Sequence, residues 1–195
     1  APDSVPGPGW LEQLQACFTR DASIATATPW CNAGGTVAWP RMGEVNAMPD
    51  ALETLSRACA DMPPRYPELP SAVTHAVLVR GTARQRAGGL DADSYGGWSA
   101  ALIDLGLRMA GLGWRNVLCE TAFVARADEG GHAPGDLEAL ASRWPAWTPR
   151  LADFLMHDPL RAAREDLQLG YQRAIMPKAQ GDLFGVAPPP QEPPA

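Results

Sequence analysis

The 195-residue chain carries a net charge of −6 and has a pI of about 5.0, which excludes a broad basic footprint for nucleic acid. A hydrophobic content of 46% with 19% charged residues supports a packed core and excludes a disordered chain. No apolar run approaches the ~20 residues that cross a bilayer, and the 20 Pro and 19 Gly predict short elements joined by many loops.

The length suits one domain, or a domain with an extended tail. The chain opens in a Pro/Gly-rich turn, APDSVPGPG, rather than in a first strand, so further N-terminal sequence is expected before it. Residues 10–19 (WLEQLQACFT) place apolar side chains at 10, 11, 14, 17 and 18, which predicts a helix. Residues 24–28 form a short β-prone run that Pro29 is expected to end. Residues 30–48 read as a Gly-rich loop marked by Trp30, Asn32 and Trp39-Pro40. Asp50 is placed to cap a helix over residues 51–60, with Glu53 at the capping-box position.

Four prolines keep residues 63–70 irregular. The near-continuous apolar run AVTHAVLV, residues 72–79, predicts a central strand buried on both faces. One helical turn follows over residues 82–87, then the Gly88-Gly89 turn and a loop carrying Asp91 and Asp93. A helix places Asp104 and Arg108 one turn apart, Gly113 ends it, and residues 116–124 read as a strand. Asp136 is expected to cap a helix through residue 143, Trp144 and Trp147 bracket a break, and residues 150–156 and 160–174 are helical. The Pro-rich end, residues 186–195, reads as a disordered tail. This order predicts an α/β fold: part of a sheet flanked by helices, with a helical C-terminal extension.

Cys17, Cys31, Cys59 and Cys119 are widely spaced and form no C-x-x-C pair, so reduced, buried thiols and a cytoplasmic location are expected. Asp104 and Arg108 at i, i+4 predict an ion pair. His75, set among Ala76, Val77 and Leu78, reads as a core or strand-end histidine. At least two of the loop tryptophans Trp30, Trp39 and Trp98 are expected in the core, while a loop Trp that stays exposed offers a stacking surface for sugars. Asn32, Gly34 and Gly35 suit either a surface turn or a close backbone approach to a donor sugar or phosphate.

The order of several motifs resembles the family-2 glycosyltransferases, inverting sugar-nucleotide enzymes of the GT-A-type fold. The carrying segments are Asp3 with PGPGWL (residues 6–11), ATATPWCNAGGTVAWPR (25–41), PRYPELPSAV leading to Arg80, AGGLD (87–91) and DLGLRMAGLGWRNVL (104–118). The resemblance covers residues 1–160, leaving 161–185 as the extension, and implies the C-terminal part of a catalytic domain. The family's initial strands and nucleoside-binding loop have no counterpart in it, so a further domain of a longer chain is an expected partner. It implies a nucleotide-sugar donor, a glycan or protein acceptor, and Mg²⁺ or Mn²⁺ at the diphosphate, with Asp3 as the metal ligand.

The resemblance makes Asp104 the active-site acid, while the family's preceding acidic pair is replaced by Ala101 and Leu102. Asp93, or Asp91, is then the candidate to replace the lost base. Arg108 supports the acidic loop and, with Asn32 and Trp98, belongs to the donor and substrate side. Where the family has a metal-site histidine this chain has Arg126, which suits direct binding of the diphosphate; His132 lies six residues further on. A catalytically degenerate binding or scaffolding module is the alternative that Ala101, Leu102 and Arg126 favour.

Overall fold

A computed structural model describes residues 3–127 and 130–176. In chain order these form β1 (Ser4–Pro6), α1 (Trp10–Arg20), β2 (Ile24–Trp30), α2 (Leu52–Ala60), β3 (Leu78–Val79) and α3 (Gly81–Arg86). They continue as α4 (Trp98–Gly111), β4 (Arg115–Arg126), α5 (Asp136–Arg143), α6 (Trp147–His157) and α7 (Arg161–Ile175). The fold is α/β, with a mixed four-stranded sheet in the order β1-β4-β2-β3. Only the central pair, β2 and β4, is parallel; β1 and β3 run antiparallel to their neighbours.

The central strands are buried on both faces, which is why IATATPW and RNVLCETAFVAR show little alternation. Against one face, Leu14 and Cys17 of α1 pack on Ile24, Ala27, Val117 and Cys119. Against the other, Leu55 of α2 and Leu160 and Leu167 at the C-terminal helix pack on Trp30, Leu118 and Phe123. Each such aliphatic or aromatic side chain contributes about 1.5–3 kcal/mol on full burial. A register shift sets Pro29 against Cys119 but Trp30 against Phe123. The extra residues of β4 reverse its facing, so Ala122 returns to the face of Cys119. The same irregularity accommodates Pro29, and β2 runs through it to Trp30 instead of ending there. Helix α7 shares the Trp30 cluster through Ala163 and Leu167, so α7 is part of the main core, and residues 177–185 of the expected extension lie outside the described residues.

Helix α4 is apolar almost all round because it is covered on two sides. Leu105 and Met109 meet Ala25 of β2, whereas Ala100, Ile103 and Leu107 meet Leu140 and Trp147 of the next helices. Close packing is possible at Gly106, where a Cβ would lie 3.1 Å from the Ala72 nitrogen and 3.2 Å from Asn116 Oδ1. Asn116 Nδ2 donates to the Gly106 carbonyl at 3.0 Å, and Thr26 Oγ1 donates to Asn116 Oδ1 at 2.8 Å, which ties helix to sheet. The helix ends as the sequence indicated: Gly113 takes φ 88°, its N–H reaches the Ala110 carbonyl and that of Trp114 the Met109 carbonyl.

Further expectations give way to tertiary structure, beginning with the opening segment, where Ser4–Pro6 form β1 rather than a turn alone. Residues 72–79 do not form the central strand; only Leu78–Val79 pairs, at the antiparallel edge, and residues 74–76 bend with His75 fully buried. An apolar run signals burial, and burial here belongs to a loop packed beneath α4. Asp50 does not cap α2, whose N-cap is Ala51 without a side-chain hydrogen bond. Asp136 stands in the first turn of α5, and its carboxylate instead accepts from the N–H groups of Gly96 and Gly97 at 2.8 and 3.0 Å. The Pro-rich tail lies outside the described residues. No helix among the described residues is long and apolar enough to cross a membrane.

Candidate functional site

A cleft of about 980 Å³ opens at the carboxyl ends of the parallel pair β2 and β4, the place where open α/β sheets hold their ligands. Residues 33–36 follow β2 into it, and Arg126, Gly131 and His132 come from the end of β4 and the segment beyond. Residues 71–74 and the first turn of α4 (Gly97, Trp98, Ser99) form further walls, and Trp147, Leu151 and Leu155 of α6 give an apolar side. A second cavity, of about 510 Å³, is lined by Arg41, Arg161 and Arg164. Each of these is matched by a carboxylate (Glu44, Glu165 and Asp158), which leaves that cavity no uncompensated charge for a ligand.

Arg126 is the cationic centre of the cleft. Its side chain is 8% exposed, and its Nε and Nη2 lie 3.1 and 3.4 Å from the two carboxylate oxygens of Asp3. The pairing follows from the sheet, because Ser4 of β1 stands opposite Arg126 of β4 and brings its neighbour Asp3 alongside. Asn32 fixes the strand end. Its Oδ1 accepts from the Arg126 N–H at 2.9 Å, and its Nδ2 donates to the Arg126 carbonyl at 3.0 Å and the Asn46 carbonyl at 3.1 Å. Thus Asn32 is engaged by backbone and positions Arg126, rather than lining the cleft itself.

Trp98 is 51% exposed at the cleft mouth, whereas Trp30 and Trp39 are in the core. The carboxylate of Asp136 holds the Gly96-Gly97 backbone just ahead of Trp98. His132, six residues beyond Arg126 along the chain, lines the same cleft as Asp3 and Arg126. His75 lies behind the wall formed by residues 71–74; its burial, with the nearby Arg126 guanidinium, lowers its pKa to about 3, so it is neutral at physiological pH. Burial pushes the Cys31 thiol up to about 11, which makes it a poor nucleophile at neutral pH.

The structure does not bring the two expected catalytic carboxylates to this cleft. Asp104 sits in the middle of α4 with a fully buried side chain. One carboxylate oxygen accepts from Arg108 Nε at 2.8 Å, and the other from Trp144 Nε1 at 2.8 Å and the Tyr95 hydroxyl at 3.2 Å. Arg143 adds an ion pair at 3.3 Å. Enclosed in this way, the carboxylate has no route to an acceptor hydroxyl. Arg108 completes a structural clasp: its guanidinium also donates to the carbonyls of Ala87 and Gly89, fixing the Gly-Gly turn. Asp93 is exposed on the loop before α4 and is not among the residues lining the cleft. Asp91 is taken by Arg143 at 2.8 Å, which holds its pKa down at about 2. Ala101 packs in the cluster with Leu140 and Trp147, and Leu102 is buried.

A divalent cation at the diphosphate needs several oxygen donors. Asp3 is the only carboxylate among the described residues of the cleft, and Arg126 already engages it. No group of three or more His, Cys, Asp or Glu among the described residues could hold a metal ion. The described residues of the cleft thus supply no donor set for Mg²⁺ or Mn²⁺, while Asp128 and Glu129, between Arg126 and Gly130, lie outside the described residues.

Sequence reasoning missed the loop of residues 71–74 and the wall from α6. Neither carries a local signal, since their role arises only where α4 and α6 converge on the sheet ends. Comparisons with family models, with curated proteins and with solved structures find no match for this chain.

Proposed function

We propose that the cleft binds the diphosphate of a nucleotide-activated sugar. On this reading the chain is part of a GT-A-type, family-2-like glycosyltransferase domain that transfers the sugar, with inversion, to a glycan or protein acceptor. The observation that carries this reading is the buried Arg126 guanidinium in a large cleft at the carboxyl ends of two parallel strands. A guanidinium held by the fold presents a planar fork suited to phosphate oxygens. Gly34 and Gly35 line the same cleft, and Trp98 offers an apolar face for a sugar ring. Four free, buried thiols suit a reducing, cytoplasmic setting.

In such a transfer the acceptor oxygen attacks the anomeric carbon as the bond from that carbon to the diphosphate oxygen breaks. The leaving diphosphate takes the bonding pair, and the acceptor proton passes to a base. Arg126 would meet the charge developing on the leaving group, where a fixed cation acts most strongly on the transition state. Trp98 and the α6 wall would orient the sugar and exclude water. His132 is the titratable side chain of the cleft, among the described residues, that lies outside the Asp3–Arg126 pair.

A second reading is favoured by a specific observation: the acidic pair's places are held by Ala101, in the helix-packing core, and by buried Leu102, while Asp104 is enclosed. On that reading the cleft still binds a nucleotide sugar but serves as a binding or scaffolding module beside an active domain. Calorimetric titration with a panel of nucleoside diphosphates tests the shared claim. Binding is expected for at least one of them, weakened at least tenfold by Arg126→Ala, and absence of binding at millimolar ligand would refute it. Turnover of the corresponding nucleotide sugar with an acceptor then separates enzyme from module.

A further inference from the structure

We infer that Asp136 is a positioning residue for the sugar: its carboxylate holds the turn before α4 so that the Trp98 indole stands as a fixed platform for the hexose ring of the donor. The inference rests on the nucleotide-sugar reading of the cleft and goes beyond it, because it gives a role to a residue that does not itself line the cleft.

Trp98 is the first residue of α4 and keeps half of its surface exposed at the cleft mouth. An indole so placed adds most to binding when its backbone is already held, since ordering a mobile group on binding costs free energy. A helix start is ordinarily held by its own capping residues. Here the N-cap is Gly97, with no side chain for the task. Ala100 stands where a Glu or Gln would reach back to the N-cap N–H. Asp136 supplies that bond from α5 instead. One carboxylate oxygen accepts from the Gly97 N–H at 3.0 Å and the other from the Gly96 N–H at 2.8 Å. The Asp136 side chain is buried, where paired donors of this kind offset the desolvation of a carboxylate. The fit is close: a Cβ at Gly97 would lie 2.9 Å from Asp136 Oδ2, and one at Gly96 3.2 Å from Ala133 Cβ. The Asp136 N–H donates to the Ala133 carbonyl at 3.1 Å, so the same residue closes the turn that follows His132. Asp136 thus joins two walls of the cleft, the start of α4 with Trp98 and the segment carrying Gly131 and His132.

Two ligands separate the parts of the cleft: a nucleoside diphosphate reads the Arg126 end, and its hexose ester reads Trp98 as well. The experiment titrates the full chain, by calorimetry, with the nucleoside diphosphate that binds most tightly and with that ester. The wild type is expected to bind the ester about threefold to tenfold more tightly, the gain from one aromatic face. Trp98→Ala is expected to remove that preference. Asp136→Ala is expected to remove it too, with affinity for the diphosphate within threefold of the wild type. The double variant should be no worse than Trp98→Ala, because Asp136 acts through Trp98. Gly97→Ala, whose methyl group displaces the carboxylate without removing it, is expected to lower the preference in the same way and decides the matter if Asp136→Ala does not fold. A preference for the ester that survives in Asp136→Ala or, where that variant does not fold, in Gly97→Ala overturns the inference while leaving the nucleotide reading intact. So does a loss of affinity that falls equally on both ligands, or a wild type that binds the two alike. Absence of binding by either ligand overturns both.

Discussion

Replacing Asp104 tests whether that residue is architecture or chemistry. In Asp104→Ala, Arg108 and the Trp144 indole lose their 2.8 Å acceptors and Tyr95 its 3.2 Å acceptor, in a place where the carboxylate is fully buried. Removing one member of a buried pair costs about 3–5 kcal/mol when the partner is stranded. Here Arg108 keeps the carbonyls of Ala87 and Gly89, and Arg143, 41% exposed, can turn to water. The expected loss is therefore about 2–4 kcal/mol, with Asp104→Asn intermediate because its amide keeps an acceptor for the indole but opposes a donor to Arg108. For a chain of this size that lowers Tm by roughly 5–15 °C. Urea unfolding followed by circular dichroism reads the change, and nucleotide affinity at a temperature where the variant is folded should stay within threefold of the wild type. A variant as stable as the wild type that nevertheless lost sugar transfer would refute the reasoning and place Asp104 in the chemistry.

Acid should weaken the fold through His75. Its folded pKa, about 3, lies below the ordinary value of 6.5, so its contribution is complete above pH 6.5 and is lost as pH falls toward 3, by about 2–3 kcal/mol at pH 4.5. The difference in unfolding free energy between wild type and His75→Gln isolates this, since the buried Glu120, whose raised pKa acts in the opposite sense, is common to both; a difference independent of pH between 7 and 4.5 would show that the histidine is not buried neutral. Gly106→Ala should cost about 1–3 kcal/mol by forcing α4 from the Ala72 backbone and Asn116, measured by the same urea titration, and an unchanged midpoint would mean that helix and sheet are not in close contact there.

The sequence by itself determined those features that depend on local chemistry. The apolar spacing of α1 and α7, the Gly113 helix stop, the prolines of residues 63–70 and the i, i+4 pair of Asp104 and Arg108 are each settled within a few residues. It also determined the α/β class, since the order of strand-like and helical segments needs no contact information. Only the tertiary structure decided which apolar run became the central strand. Burial reads the same in a strand as in a packed loop, and backbone pairing selected β2 over residues 72–79. It also decided the roles of the polar residues: Asp104 is enclosed by Tyr95 and Trp144 from other segments, and Asn32 is engaged by the end of β4. Arg126 and Asp3, 123 positions apart, meet only because β1 pairs with β4. A side chain's type is written in the sequence, but whether its charge faces a ligand or a neighbour depends on what the fold sets within 3 or 4 Å of it.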